Sequence, residues 1–333
     1  MAKKIFGILL NPTIDEIIEV ENFHVGGTFK VSKSHKFPLG KAISFALSAK
    51  TLNQALIQEE DIEIKILACI GKEEIPIYNS FLDSKQISFQ FKSIDGITRS
   101  NKTIIDPDTH SVTHIRHKGF KITKEKLEEF LRLIDSSVNK NDIVAFCGSI
   151  PLGVPKDIYF KMINGCKKKG AKCVLDTSGV ELIEGYKAKP WMLKPNLNEL
   201  ISFFPESPEI QDFIKNPSEN IKKIAKKSEQ LLSDETEIVI TTLNRWGAIC
   251  TSKDLCLYGK LTMDNPINTI GSGDSFLGGF IVGFYLGNDL EHCFRWGLAC
   301  GAANTLVSGA GIFSKKNVRE LYKKAKFEKI DLC

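Results

Sequence analysis

What most constrains this chain is an alternation: short β-branched or apolar runs, each followed by a longer stretch of helical spacing. IFGILL leads into AISFALSAKTLNQALI, IEIKILACI into IPIYNSFLDSK, and DIVAFCG into PKDIYFKMINGCKKKG. AKCVLD and EIVITTL add two more apolar runs. Buried runs of about four to eight residues separated by amphipathic helices fold as βαβ units, whose parallel sheet is covered on both faces. The spacing therefore predicts an α/β architecture. At 333 residues the chain forms one large unit on this reading, since α/β folds commonly exceed the usual domain size of about 100–200 residues. A 42% hydrophobic content supplies a sizeable core.

Two stretches, about 12–37 and 87–118, break the alternation with short strand-like runs and turn signals at Gly26-Gly27, Asp95-Gly96 and Asp106-Pro107-Asp108. They predict a small antiparallel sheet inserted into the α/β body, with one face free to act as a lid or to pair with a second copy. The Lys/Glu/Ser/Pro-rich stretch 205–219 reads as a solvated loop.

Composition excludes several classes. The 45 Lys+Arg and 40 Asp+Glu leave a net charge of only +5, scattered along the chain, where a nucleic-acid partner needs a concentrated basic face. Nine cysteines without a CxxC pair point to reduced thiols used as small hydrophobes. His110 and His114 would need a helix to share a metal, and their segment reads as strand. No apolar run reaches the ~18–20 residues that cross a bilayer, and the N-terminus lacks a secretion signal. The expectation is a cytoplasmic chain without membrane or nucleic-acid partners.

The chemistry concentrates in NTIGSGDSFLGGFIVGFYLG, Asn268 to Gly287. A turn-like Asn265-Pro266-Ile267-Asn268 precedes Gly271-Ser272-Gly273-Asp274, and Phe276, Leu277, Phe280, Ile281 and Phe284 follow at helical spacing. The glycines thus open a helix, where unpaired N–H groups and the dipole favour a phosphate oxygen. Asp274 at that place reads either as a helix cap or as a general base for a hydroxyl attacking a phosphoryl group. GxxxxGK[ST] is absent, which excludes the P-loop mechanism.

The run resembles the C-terminal signature of the phosphofructokinase-B family of sugar kinases in the ribokinase superfamily, DT-x-G-A-G-D-x-F-x-x-G-F, with Asn268 and Ser272 substituting for Asp and Ala. LLNPTIDEIIEV, ITRSN, CGSIPLGVP, VLDTSG, KPNLNEL and WGLACGAANTLVSGAGIF resemble further family segments in the family's order. The resemblance covers essentially the whole chain. It is closest to the phosphosugar branch, the 1-phosphofructokinases and tagatose-6-phosphate kinases. Two segments depart from the pattern. The usual GGKGINVA reads LGKAISFA, with Leu39 and Ala42 for glycines and Ser44 for an asparagine, and SLGxxG reads TLNRWG at Thr242 to Gly247.

The resemblance implies a ribokinase-like three-layer α/β/α sandwich with a mostly parallel central sheet and a small β-sheet lid, dimerising through that lid. It implies Mg2+- and ATP-dependent phosphorylation of a ketohexose phosphate to a bisphosphate. Asp274 would be the base, with Gly271, Ser272 and Gly273 holding the transferring group. Asp15, Lys30, Gly40, Lys41, Ser44 and Arg99 would bind the sugar phosphate. Lys194, Asn196, Thr242, Gly247, Gly273 and Asn304 would serve the nucleotide, and Glu199 the Mg2+ through water. Two alternatives stay open: a kinase of an unphosphorylated sugar or nucleoside, and a non-catalytic sugar-phosphate sensor.

Overall fold

A computed structural model of the chain describes residues 4–56, 62–109, 111–207, 210–261, 263 and 266–332. His110 and Asn265 lie outside the described residues. Fourteen strands occur among those described: β1 (Ile5–Leu9), β2 (Thr13–Glu19), β3 (Lys33–Leu39), β4 (Ile64–Gly71), β5 (Ser88–Ile94), β6 (Arg99–Ile105), β7 (Val112–Arg116), β8 (Ile143–Cys147), β9 (Lys172–Asp176), β10 (Met192–Leu193), β11 (Ile238–Thr242), β12 (Ala248–Ser252), β13 (Cys256–Lys260) and β14 (Lys326–Lys329).

Ten of them form one sheet in the order β14-β13-β12-β11-β10-β9-β8-β1-β4-β5. Every pairing from β11 to β5 is parallel, and β12 to β14 extend the sheet antiparallel. The mostly parallel sheet predicted from the alternation is therefore present. Strand β4 shows why both faces are covered. Ile64, Ile66, Ala68 and Ile70 enter one core and Leu67 and Cys69 the other, as the two-residue period of a strand requires.

The first core joins the sheet to the helices Lys41–Leu56, Ser272–Tyr285 and Leu290–Asn304, through residues such as Phe45, Phe280 and Phe294. The second joins it to Lys124–Ser137 and Ile158–Lys168, through Phe130 and Tyr159. At Gly7 the helix Lys41–Leu56 comes so close that an added Cβ would stand 2.8 Å from Ile66 Cδ1 and 3.1 Å from the Ala42 methyl. No helix among the described residues is long and apolar enough to cross a membrane.

A second sheet has the order β3-β2-β6-β7. It corrects two expectations. The sheet is mixed, because β2 runs parallel to β6 between antiparallel neighbours. Strand β5, expected within it, instead pairs parallel with β4 at the edge of the large sheet. Phe89 and Phe91, two residues apart and stacked with centroids 4.8 Å apart, pack on the first core. An edge strand with one buried face carries the same alternating pattern as a lid strand. Nor is 205–219 simply a loop, since it holds the helix Ile210–Lys215 and a 3₁₀ turn at Pro217–Glu219, anchored by buried Phe213 and Pro217.

Candidate active site

The parallel strands end at a common edge, where open α/β sheets bind ligands. Asp176 is the last residue of β9 and Lys194 directly follows β10. Opposite them, Gly271 adopts a left-handed conformation (φ 79°) and caps the helix Ser272–Tyr285, which brings Asp274 into its first turn. Lys41, at the start of its own helix, reaches between them.

These four side chains form one charge cluster. Lys41 Nζ donates to Asp176 Oδ1 at 2.6 Å and stands 3.8 Å from Asp274 Oδ1, while Lys194 Nζ lies 3.1 Å from Asp176 Oδ2. Asp176 and Lys194 are almost wholly buried, and Asp274 is 7% exposed. Burial pushes the Asp274 carboxyl up to about 6, and Asp176 and Glu199 add to the rise against Lys41 and Lys194. Burial also opposes the charge on Asp176, yet Lys194 and Lys41 hold its carboxyl below the usual range. Lys41 is held above its ordinary value because Asp176, Asp274 and Glu199 outweigh its own burial.

The helix opening is narrower as an anion site than the sequence indicated. The Ser272 N–H donates to the Thr269 carbonyl at 3.3 Å, so the N–H groups of Gly273 and Asp274 are the ones the first turn presents. Lys194 borders them, since a Cβ on Gly273 would lie 3.4 Å from its Nζ.

A cleft between the small sheet and the openings of the helices Lys41–Leu56 and Ser272–Tyr285 lies in front of Asp274. Asp15, Gly40, Lys41, Ser44 and Arg99 all line it, as does Gly271. Asp15 accepts from Thr13 Oγ1 and Asn101 Nδ2, both at 3.0 Å, and burial raises its carboxyl. Arg99 spends Nε and one terminal nitrogen on the carbonyls of Pro12 and Asn11, at 3.2 and 3.1 Å. Two expected cations differ from the reading of the sequence. Lys30 is exposed in the loop joining β2 to β3 and does not line the cleft, because the loop carries it away from the sheet edge. Lys41 is committed to carboxylates and does not stand free beside Arg99.

On the other side of Lys194, Asn196 and Glu199 form a capping box: Asn196 Oδ1 accepts from the Glu199 N–H at 2.9 Å, and Glu199 Oε2 accepts from the Asn196 N–H at 2.8 Å. Thr242 bridges to this segment, its N–H donating to the Pro195 carbonyl at 3.0 Å. Gly247 closes the following turn with φ 97°, and Asn244, at φ 51°, takes the left-handed position that an asparagine tolerates. Asn304, expected beside adenine, is fully buried with its amide turned into the protein, so it presents nothing to a base.

Sequence reasoning missed Asp176, the hub of the cluster, and a cleft wall of Asn101, Lys102, His114 and Arg116 from β6 and β7. For Asp176 the signal was its place at the end of the apolar run AKCVLD. For the wall it was the alternation along two paired strands. Among the described residues no three His, Cys, Asp or Glu side chains converge as a metal site.

A helix-opening turn that presents N–H groups and a carboxylate to a cleft at the ends of parallel strands, beneath a small sheet, defines a ribokinase-like carbohydrate kinase. The chain belongs to the pfkB family of carbohydrate kinases, whose pattern matches residues 6–317. The 1-phosphofructokinase of Bacillus subtilis (strain 168) is 29% identical over 92% of this chain and 94% of its own. That of Haemophilus influenzae is 26% identical over 92% of each. Phosphofructokinase-2 from Escherichia coli, solved with substrates and products, superposes with a TM-score of 0.84 at 19% identity over 96% of this chain and 99% of that one. Ribokinase from Thermotoga maritima gives 0.69 at 18% identity over 96% and 99%. The family implies ATP as phosphoryl donor.

Proposed function

We propose that the chain transfers the γ-phosphoryl group of ATP to a hydroxyl of a ketohexose phosphate, fructose 1-phosphate first and tagatose 6-phosphate second. The observation that carries this reading is the placement of a buried carboxylate, Asp274, between an N–H anion site and a cleft lined by Arg99 and Arg116. A substrate that already bears a phosphate requires such cations. The 1-phosphofructokinase relatives, aligned over most of both chains, support the same acceptor class.

In this mechanism Asp274 takes the proton of the acceptor hydroxyl as its oxygen bonds to the γ-phosphorus, and the bond to the ADP oxygen breaks. The Gly273 and Asp274 N–H groups and Lys194 hold the charge on the transferring group. Asp15, Gly40, Ser44 and Arg99 orient the sugar phosphate, and Asn196, Thr242 and Gly247 border the nucleotide. Mg2+ fits the donor set through water: Glu199 uses Oε2 in its capping box, leaving Oε1 as a hard oxygen donor. When bound, the ion neutralises phosphate charge.

Two copies associate through the small sheet in this reading, which the exposed Val112 and Ile115 of its edge strand support. The eight cysteines among the described residues are buried and free, which fits a reduced, cytoplasmic setting. The test is a panel of fructose 1-phosphate, fructose 6-phosphate, tagatose 6-phosphate and free sugars with Mg·ATP, following ADP release, together with light scattering for the dimer. Preference for a phosphorylated ketohexose is expected. Equal activity on free sugars, or ligand binding without turnover, sinks the reading.

A further inference from the structure

The turn that carries Asp274 is held from its buried side by the side chain of Asn304. Asn304 ends the helix Leu290–Asn304 and has no exposed surface. Its Nδ2 donates to the Ile270 carbonyl at 2.8 Å and to Ser272 Oγ at 3.1 Å. Its Oδ1 accepts from Ser275 Oγ at 3.2 Å and from the Gly311 N–H at 2.7 Å. Both amide hydrogens and both lone pairs of the side chain are thereby engaged.

We propose that Asn304 is a positioning residue for phosphoryl transfer: it locks the backbone of 270–275, with the Asp274 carboxylate and the N–H groups beside it, onto the 309–311 turn. The inference rests on the kinase reading above. An anion site built from backbone groups works only if those groups are held to a fraction of an ångström. Helix packing cannot supply that alone here, because residues 268–271 precede the helix and none of them is buried, Ile270 being 42% exposed.

The two turns meet closely, since a Cβ on Gly271 would stand 2.4 Å from the Ala310 methyl. On the outer side, Asn268 adds a weaker tie: its Nδ2 donates to the Ser308 carbonyl and its Oδ1 accepts from the Ile270 N–H, both at 2.9 Å. Water competes for those bonds. Asn304 itself has no exposed surface, and its bonds from Ser275 and Gly311 are fully buried, where such bonds are stronger and more directional.

Asn304→Asp keeps the acceptors for Ser275 and Gly311 and removes the donors to Ile270 and Ser272. Asn304→Ala removes all four. For both, kcat is expected to fall by about 100-fold, the effect of a misplacement near 1 Å, while KM for ATP stays near wild type. In hydrogen–deuterium exchange the amides of Ser272 and Ser275, paired with the Thr269 and Gly271 carbonyls, lose protection in both variants, and that of Gly311 in Asn304→Ala.

A raised KM for ATP with kcat intact would instead make Asn304 a nucleotide contact and overturn the proposal, as would unchanged kcat. If these variants fail to fold, Ser275→Ala, which deletes one of the four bonds, carries the same two readouts with a smaller loss. If the wild-type chain phosphorylates nothing in the panel, the kinase reading fails. The exchange measurement then decides the role of Asn304 by itself, and unchanged protection of 270–275 refutes it.

Discussion

Lys41 Nζ donates to Asp176 Oδ1 at 2.6 Å, joining the first helix of the chain to the end of β9 across 135 residues of sequence. The pair is not isolated, because Lys194 holds the other oxygen of the same carboxylate. Asp176→Asn would leave two lysines without their shared counter-ion in a buried setting, a loss of about 3–5 kcal/mol of stability. Because the folded-state carboxyl lies below its unfolded value, its stabilisation is present above the unfolded pKa, near 4. It is lost as pH falls through the folded value. Urea unfolding of wild type and variant at pH 7 and pH 3 should show the difference shrinking with acid.

Asp274→Asn keeps the shape and removes the base. Turnover should drop by about 10²–10⁴-fold, the range for a lost general base, with nucleotide binding by titration largely retained.

The same residue sets a pH dependence. With its carboxyl raised to about 6, kcat/KM should rise with pH through that value as the base ionises. For stability the sign is opposite. The folded state holds this proton more tightly than the unfolded one, so the residue's contribution falls as pH rises from near 4 to about 6. Asp274→Asn should therefore melt above wild type at pH 7.5, with the gap closing below pH 4. A melting gap that widens in acid would contradict the assignment.

Arg99→Lys removes the fork that grips the Asn11 and Pro12 carbonyls as well as the substrate-facing guanidinium. Charge-assisted hydrogen bonds of this kind are worth about 1.5–3 kcal/mol, so KM for the sugar phosphate should rise by about 10- to 100-fold, with KM for ATP little changed. Initial-rate kinetics with each substrate varied in turn separate the two.

Gly271→Ala places a methyl 2.4 Å from the Ala310 methyl in a backbone conformation of positive φ. Strain of this kind costs about 1–3 kcal/mol. Both the melting temperature and kcat should fall, and a variant that loses stability alone would show that the turn tolerates displacement.

Local sequence carried much of this site, because its groups sit where local geometry announces them. Glycines before an apolar helix marked Asp274, whereas Asn196 and Glu199, read from the sequence as nucleotide and metal ligands, also form a capping box that the sequence reading did not anticipate. What stayed hidden was set by partners distant in the chain. Asp176 looked like the end of a buried run, and only the convergence of β9, β10 and the helix Lys41–Leu56 makes it the counter-ion of two lysines. Asn304 looked like a polar residue near a nucleotide, and its four bonds come from segments 7 to 34 residues away. Strand β5 shared its alternation with true members of the small sheet, since one buried face produces the same pattern against either partner. Lys30 carried the right charge on a loop whose course the pattern does not encode.

The Asn196–Glu199 capping box bears on how mutational results at this site can be interpreted. One oxygen of Glu199 closes a five-residue helix while the other is the proposed metal-side donor. Replacement by alanine would abolish both roles together, and a dead enzyme could not be attributed to either. Glutamine still serves at the third position of such a box, so Glu199→Gln alone separates architecture from charge.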